Sequence, residues 1–180
     1  GFGWPARYVT VLPDKNAITD AFLGEMRRFQ VDVSQVVRGA GRFGIYFVEP
    51  GANQRGAKVL YDREGSSIAI AKPGAIDFAQ AFAGAGWFHI TGITLAISPS
   101  AAELAVESVR AAKAAGLTVS CDLNFRKNLW KYGKKASEVM PLLVEHTDVV
   151  IANEEDCQMA LGIESEADVH SGKLDHAAYE

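Results

Sequence analysis

The chain has 180 residues, 48% hydrophobic and 22% charged, enough for one ordinary core, since chains of this size bury roughly 70% of their unfolded surface. Lys and Arg number 18 against 22 Asp and Glu, a formal charge of -4, so a basic footprint for nucleic acid or an anionic membrane is missing. The 17 Gly and 6 Pro are scattered, which excludes collagenous and low-complexity chains.

Residues 7–12 (Arg-Tyr-Val-Thr-Val-Leu) are β-branched and aromatic and predict a strand, ended by Pro13-Asp14-Lys15-Asn16. A helix over 17–29 comes next, with Ile18, Phe22, Met26 and Phe29 at helical spacing. From Val33 to Ile70 come short extended runs at 33–38, 42–49 and 57–63, punctuated by Gly39-Ala40-Gly41 and Pro50-Gly51-Ala52-Asn53; these read as antiparallel hairpins. A helical signal at 76–83 opens a regular alternation, with strands at 87–91, 117–123 and 149–152 and helices at 101–115, 136–146 and 154–161. Ser98 is placed to cap its helix ahead of Pro99, and Gly116 stands just past the end. The strands are short apolar runs of the type buried on both faces. Such alternation argues for a parallel sheet with right-handed crossovers. Residues 1–32 and 71–180 therefore read as an α/β body, and 33–70 as an inserted small sheet.

Cys121 and Cys157 lie far apart in apolar runs, the usage of a reducing compartment rather than a disulfide framework or metal centre. No apolar run reaches the length of a bilayer span and no leader pattern opens the chain, so a cytoplasmic location is expected. The chain starts with Gly, and Gly1-Phe2-Gly3-Trp4-Pro5 enters the first strand without a lead-in. An internal segment of a longer protein is expected.

In open α/β sheets ligands bind beyond the carboxyl ends of the strands. That rule selects Gly92-Ile93-Thr94, Asn124-Phe125-Arg126 after Asp122, and Asn153-Glu154-Glu155-Asp156. Each alone reads as a polar loop capping a helix. Together they supply an Arg, two Asn and carboxylates, the groups that hold an anion, phosphates and a metal-bound water. Gly39-Ala40-Gly41-Arg42-Phe43-Gly44 fits G-x-G-x-x-G, but the dinucleotide fingerprint needs a helix there, and Ile45-Tyr46-Phe47-Val48 is a strand. A hairpin turn explains these glycines, and no P-loop pattern occurs. Strand periodicity puts Tyr61 and Arg63 on one face and Leu60 and Asp62 on the other, with Tyr46 in the neighbouring run. Aromatic packing for Tyr46 and Tyr61, and a surface ion pair of Arg63 with Asp62 or Glu64, are the plain alternatives to a binding role. His89 and Cys121 read as core residues, and Arg126, Lys127, Lys131, Lys134 and Lys135 as a solvated loop and helix face.

Gly44-Ile45-Tyr46-Phe47, Val59-Leu60-Tyr61-Asp62-Arg63, the run 87–94, Ser120-Cys121-Asp122-Leu123-Asn124-Phe125-Arg126 with Leu129-Trp130, and Ile151-Ala152-Asn153-Glu154-Glu155-Asp156 form an ordered series covering essentially the whole chain. The series resembles the ribokinase-like (PfkB-type) carbohydrate kinases, and within them the 2-keto-3-deoxygluconate kinases, to which the Asp-x-Asn-x-Arg segment with Leu-Trp points. The resemblance implies a three-layer α/β fold, a parallel sheet flanked by helices with a small antiparallel β lid. It implies ATP and Mg2+ as cofactors and phosphorylation of 2-keto-3-deoxygluconate at its terminal hydroxyl. By resemblance, Tyr46, Tyr61 and Arg63 contact the sugar acid, the Ile93 backbone lines its pocket, and Arg126 holds the acid near the phosphates. Two arginines suit a substrate carboxylate, which Arg binds with two prongs. Asn124 and Asn153 match nucleotide-phosphate contacts. Asp156 falls where the family has a Glu that organises Mg2+ through water, one methylene shorter, with Glu155 beside it.

A glycine-rich motif ahead of residue 1 and the later Gly-Ala-Gly-Asp motif, whose Asp is the family's general base, are both absent. The expectation is a catalytically inert segment holding much of the sugar-acid site and none of the catalytic base. A homodimer through the lid is expected, without nucleic-acid or membrane partners. The rivals are a kinase of the same family for a neutral sugar, a non-catalytic sugar-acid binder and, resting only on the misplaced glycines, a dehydrogenase.

Overall fold

The computed structural model describes residues 3–163, in which the chain divides into two compact units, one ending at Ala81 and the next beginning at Phe82. The first unit opens with β1 (Ala6–Arg7) and β2 (Val11–Pro13), then α1 (Ala17–Arg28), β3 (Val31–Asp32) and β4 (Val37–Gly39). The expected strand at 7–12 is thus split. β1 runs parallel to β3 and β2 parallel to β4, with Tyr8 N–H still reaching Asp32 O (2.8 Å) and Val37 N–H reaching Thr10 O (2.9 Å). The partner chain leaves the ladder over 33–36, where Asp32 Oδ1 accepts from Ser34 N–H (2.8 Å) and Val36 N–H turns back to Val33 O. Arg7 pins this corner, donating to Asp32 Oδ2 (2.7 Å) and to Ala81 O (2.8 Å).

Asn16 caps α1 by accepting from Thr19 N–H (3.0 Å). The helix buries Thr19 and Leu23; of the residues at helical spacing, Phe22 and Met26 are half-buried while Ile18 and Phe29 are exposed, and Phe29 lies under the Arg28 guanidinium (4.4 Å). Phe22 bridges Tyr8 and Phe43 edge-on, with centroids 5.8 and 5.6 Å away.

Among the described residues of this unit the antiparallel strand pair is β5 (Ile45–Glu49) with β6 (Lys58–Asp62), with an isolated antiparallel bridge between Ala52 and Arg55 in the connection. The expected hairpin run at 33–38 instead supplies the parallel strand β4. The Gly-x-Gly-x-x-Gly segment leads into β5 and not into a helix. At Gly41 the backbone is left-handed (φ 99°) and a Cβ would sit 2.9 Å from Gly65 O, so the turn demands glycine. Short helices α2 (Ser67–Ile70) and α3 (Phe78–Ala81) complete the unit; the helical signal at 76–83 thus yields a single turn.

The second unit keeps the predicted alternation: β7 (Trp87–Thr91), α4 (Ile93–Ile97), α5 (Pro99–Ala114), β8 (Thr118–Asp122), α6 (Ala136–Val144), β9 (Val149–Ile151) and α7 (Glu154–Asp156), the last running into a π-helical turn at Cys157–Leu161. Ser98 caps α5, accepting from Ala101 N–H (3.0 Å), with Pro99 at the first position and Gly116 left-handed beyond the end. The three strands form one parallel sheet in the order β7-β8-β9. Its core is Leu95, Leu104, Val109, Val119, Cys121, Leu123, Met140 and Leu143, each almost fully buried. Only β8 is buried as expected. β9 pairs on one side alone and all its residues are exposed. His89, expected in the core, is exposed on the other face, its Nδ1 2.8 Å from Ser120 Oγ, which also accepts from Trp87 Nε1.

Candidate active site

Parallel pairing with Thr91 opposite Asp122 and Asp122 opposite Ile151 brings the carboxyl ends of β7, β8 and β9 to one edge, as the strand order predicts. Gly92 turns the chain there. Its N–H donates to Asp122 O (2.8 Å), and a Cβ would overlap the Leu123 carbonyl oxygen and lie 2.6 Å from Met140 Cε. The chain then enters α4 rather than a loop, with Ile93 half-buried at the helix start. Thr91 Oγ1 accepts from Ile93 N–H (3.4 Å) and from Asn124 Nδ2 (3.3 Å), linking the first two strand ends.

Asn124 adopts a left-handed backbone (φ 44°), which Asn tolerates better than most residues. The next amide, Phe125 N–H, donates to Asp156 Oδ1 (2.9 Å). Asp156 is 6% exposed, and its Oδ2 accepts from Asn153 N–H (3.3 Å) while its own N–H donates to Asn153 Oδ1 (2.8 Å). Asn153 and Asp156 thereby form the reciprocal cap of α7. Arg126 is exposed, donating to Phe125 O (2.7 Å). Further along, Tyr132 Oη donates to Leu95 O (2.6 Å), tying the loop to α4, and burial pushes this phenol up to about 12. Glu155 is exposed.

The other candidates lie on the ribbon of the first unit. Tyr46 and Tyr61 are register partners with rings 6.2 Å apart, and Arg63 Cζ lies 4.7 Å over the Tyr61 ring. The expected ion pair of Arg63 with Asp62 or Glu64 is replaced by another. Arg42 grips Asp62 with both terminal nitrogens and donates from Nε to Glu64 O (2.7 Å), because Asp62 points to the face opposite Arg63.

Arg7, Arg28, Arg38, Arg42, Arg55 and Arg110 each pair with an Asp or Glu. Among the described residues Arg27, Arg63 and Arg126 have no carboxylate partner, so Arg63 and Arg126, like Arg27, can meet an external anion. No cluster of three or more metal-ligating side chains occurs among the described residues. A Mg2+ ion, which keeps several waters and binds through one or two carboxylates plus substrate phosphates, fits that sparse supply. Sequence reasoning missed Thr91, Arg42 and Tyr132. Asn153-x-x-Asp156, matched by resemblance to phosphate and metal groups, also forms the capping box that was its plain alternative.

The profile of the pfkB family carbohydrate kinases matches residues 2–177. Among solved structures, the 2-dehydro-3-deoxygluconokinase of Thermotoga maritima is 40% identical and superposes with a TM-score of 0.86, over 98% of this chain and 52% of that one. The 2-dehydro-3-deoxygalactonokinase of Haloferax volcanii is 29% identical over 174 residues, 96% of this chain and 53% of its own. A fructokinase of Xylella fastidiosa with bound ATP superposes at a TM-score of 0.77 with 24% identity, over 89% of this chain and 48% of that one; that likeness speaks for the fold alone. The chain spans about half the length of these relatives. A match from residue 2 to 177, on a backbone shared with a solved kinase at 40% identity, leads to one conclusion: the chain belongs to the pfkB family of carbohydrate kinases.

Proposed function

We propose that this chain is part of an ATP-dependent kinase acting on 2-keto-3-deoxygluconate, which it phosphorylates at the terminal hydroxyl to give 2-keto-3-deoxy-6-phosphogluconate. The observation that carries the reading is that Arg63 and Arg126, the two arginines matched by resemblance to the sugar acid, have no carboxylate partner among the described residues of a chain whose net charge is -4. A neutral hexose gives such cations nothing to bind, whereas a keto acid offers a carboxylate. The named relatives that act on keto-deoxy sugar acids support the same substrate class.

Tyr46, Tyr61, Arg63, the Ile93 backbone and Arg126 are assigned to the sugar acid, and Asn124, Arg126 and Asn153 to the nucleotide phosphates. Asn153 accepts from Asp156 through its oxygen, which leaves its amide nitrogen to donate. Mg2+, when bound, neutralises phosphate charge. Exposed Glu155 and the remaining lone pairs of Asp156 are the groups that would hold its waters. No general base is assigned in this chain; its contribution is positioning and electrostatic stabilisation.

The ribbon β5–β6 exposes Tyr46, Phe47, Val48, Val59 and Leu60, and an isolated two-stranded ribbon is marginal in water. We assign its cover to a second copy of the chain. The substrate reading is tested in a chain extended to the length of its relatives. Arg63→Ala raises KM for the keto acid by roughly tenfold or more and leaves any residual turnover of fructose unchanged. Equal effects on both substrates would remove the acid-specific assignment.

A further inference from the structure

Asp156 carries more hydrogen bonds than a helix cap requires. A capping residue at the third position of α7 needs only to accept from Asn153 N–H, as Oδ2 does (3.3 Å). Its Oδ1 instead accepts from Phe125 N–H (2.9 Å), 31 residues earlier, in the loop after β8. No Lys, Arg or His pairs with this carboxylate among the described residues, although Asp156 is 6% exposed. A buried carboxylate without a cation needs N–H donors, and here both are backbone amides of the two loops at the sheet edge. The peptide it grips comes directly after Asn124, whose left-handed backbone (φ 44°) must be held by its surroundings. It also precedes Arg126 directly.

We propose that Asp156 is a positioning residue whose carboxylate clamps the loop bearing Asn124 and Arg126 to the turn at Asn153, so that the anion-binding groups of both loops are set as one piece. The short aspartate arm draws the two loops together, and the adjacent exposed Glu155 remains as the acid nearer to solvent. The clamp rests on geometry alone, and the identity of the anions it serves rests on the kinase reading above.

Hydrogen exchange on the chain itself reads the clamp directly. The Phe125 amide belongs to no backbone ladder, yet it exchanges as slowly as the amides of β8 and far more slowly than that of exposed Lys127. In Asp156→Asn one carboxylate acceptor becomes an NH2 group. Exchange at Phe125 or Asn153 then rises about tenfold, the effect of one lost hydrogen bond, while Cys121 stays protected. In the chain extended to the length of its relatives, the same variant raises KM for the keto acid more than it lowers kcat, and is rescued in part by Asp156→Glu. The proposal is overturned if Phe125 in the unaltered chain exchanges as fast as Lys127. It is equally overturned if Asp156→Asn leaves the protection of both Phe125 and Asn153 intact. Absence of keto-acid turnover with the exchange pattern preserved would count against the kinase and support the clamp as a device serving another anion.

Discussion

Gly92 leaves no room for a side chain, since a methyl group there would overlap the Leu123 carbonyl oxygen. Gly92→Ala is expected to cost about 1–3 kcal/mol by overpacking, read as a lowered urea midpoint at unchanged slope. An unshifted midpoint would show that the end of β7 has slack. Cys121 is fully buried in β8, and burial, followed by the Asp122 charge, pushes its thiol up to about 12. It should resist alkylation at pH 8 until the chain unfolds; rapid labelling of the native chain would contradict that. Single residues were unevenly legible. The Ser98 cap arises from local chemistry and stands as expected, whereas the glycines at 39–44, expected as a hairpin turn, join β4 to β5 in different sheets. The partner of Asp62 could not be read the same way. Arg42 and Arg63 offer the same chemistry in sequence, and only the ribbon's faces decide between them.

Elements were legible where their signals were local. The parallel direction of β7, β8 and β9 followed from alternation, because strands joined by helices run parallel. The split between β1 and β2 did not, because it is imposed by the departure of residues 33–36 from the ladder and not by residues 7–12. The helix α1 was legible from its spacing, whereas its fully buried residues, Thr19 and Leu23, were not singled out by size or hydrophobicity. Two carboxylates lock neighbouring elements. The Arg7 hydrogen bond, followed by those from Ser34, holds Asp32 at about 2. Lys113, followed by Val119 N–H, holds Asp148 below the ordinary carboxylate range. Both folded values lie below the unfolded value of about 3.9. Their stabilisation is therefore complete above that pH and is lost as pH falls through the folded values. Asp32→Asn and Asp148→Asn should lower Tm at pH 7 and converge with the unaltered chain near pH 2. Curves that stay parallel down to that pH would contradict these assignments.

At the scale of the whole molecule, composition set limits that motifs then filled. An acidic chain with no basic footprint is a poor partner for a polyanion, yet local charge at a single arginine such as Arg126 still suits a small anion. The α/β class was legible because periodicity changes so clearly around residue 70. The extent of antiparallel sheet was not, since β4 has the same composition as a hairpin strand. Among the described residues no helix is long and apolar enough to cross a membrane. The exposed ribbon makes the assembly testable: light scattering at micromolar concentration should give the mass of a dimer, and Phe47→Glu should give that of a monomer. A monomeric mass for the unaltered chain would remove the second copy as the ribbon's cover. The assignment of a keto-acid kinase faces its sharpest test in a phosphorylation assay of the chain extended to the length of its relatives, with 2-keto-3-deoxygluconate, 2-keto-3-deoxygalactonate and fructose as acceptors. ATP-dependent phosphorylation of the keto acids far ahead of fructose is expected, whereas equal or preferential phosphorylation of fructose would contradict the assignment.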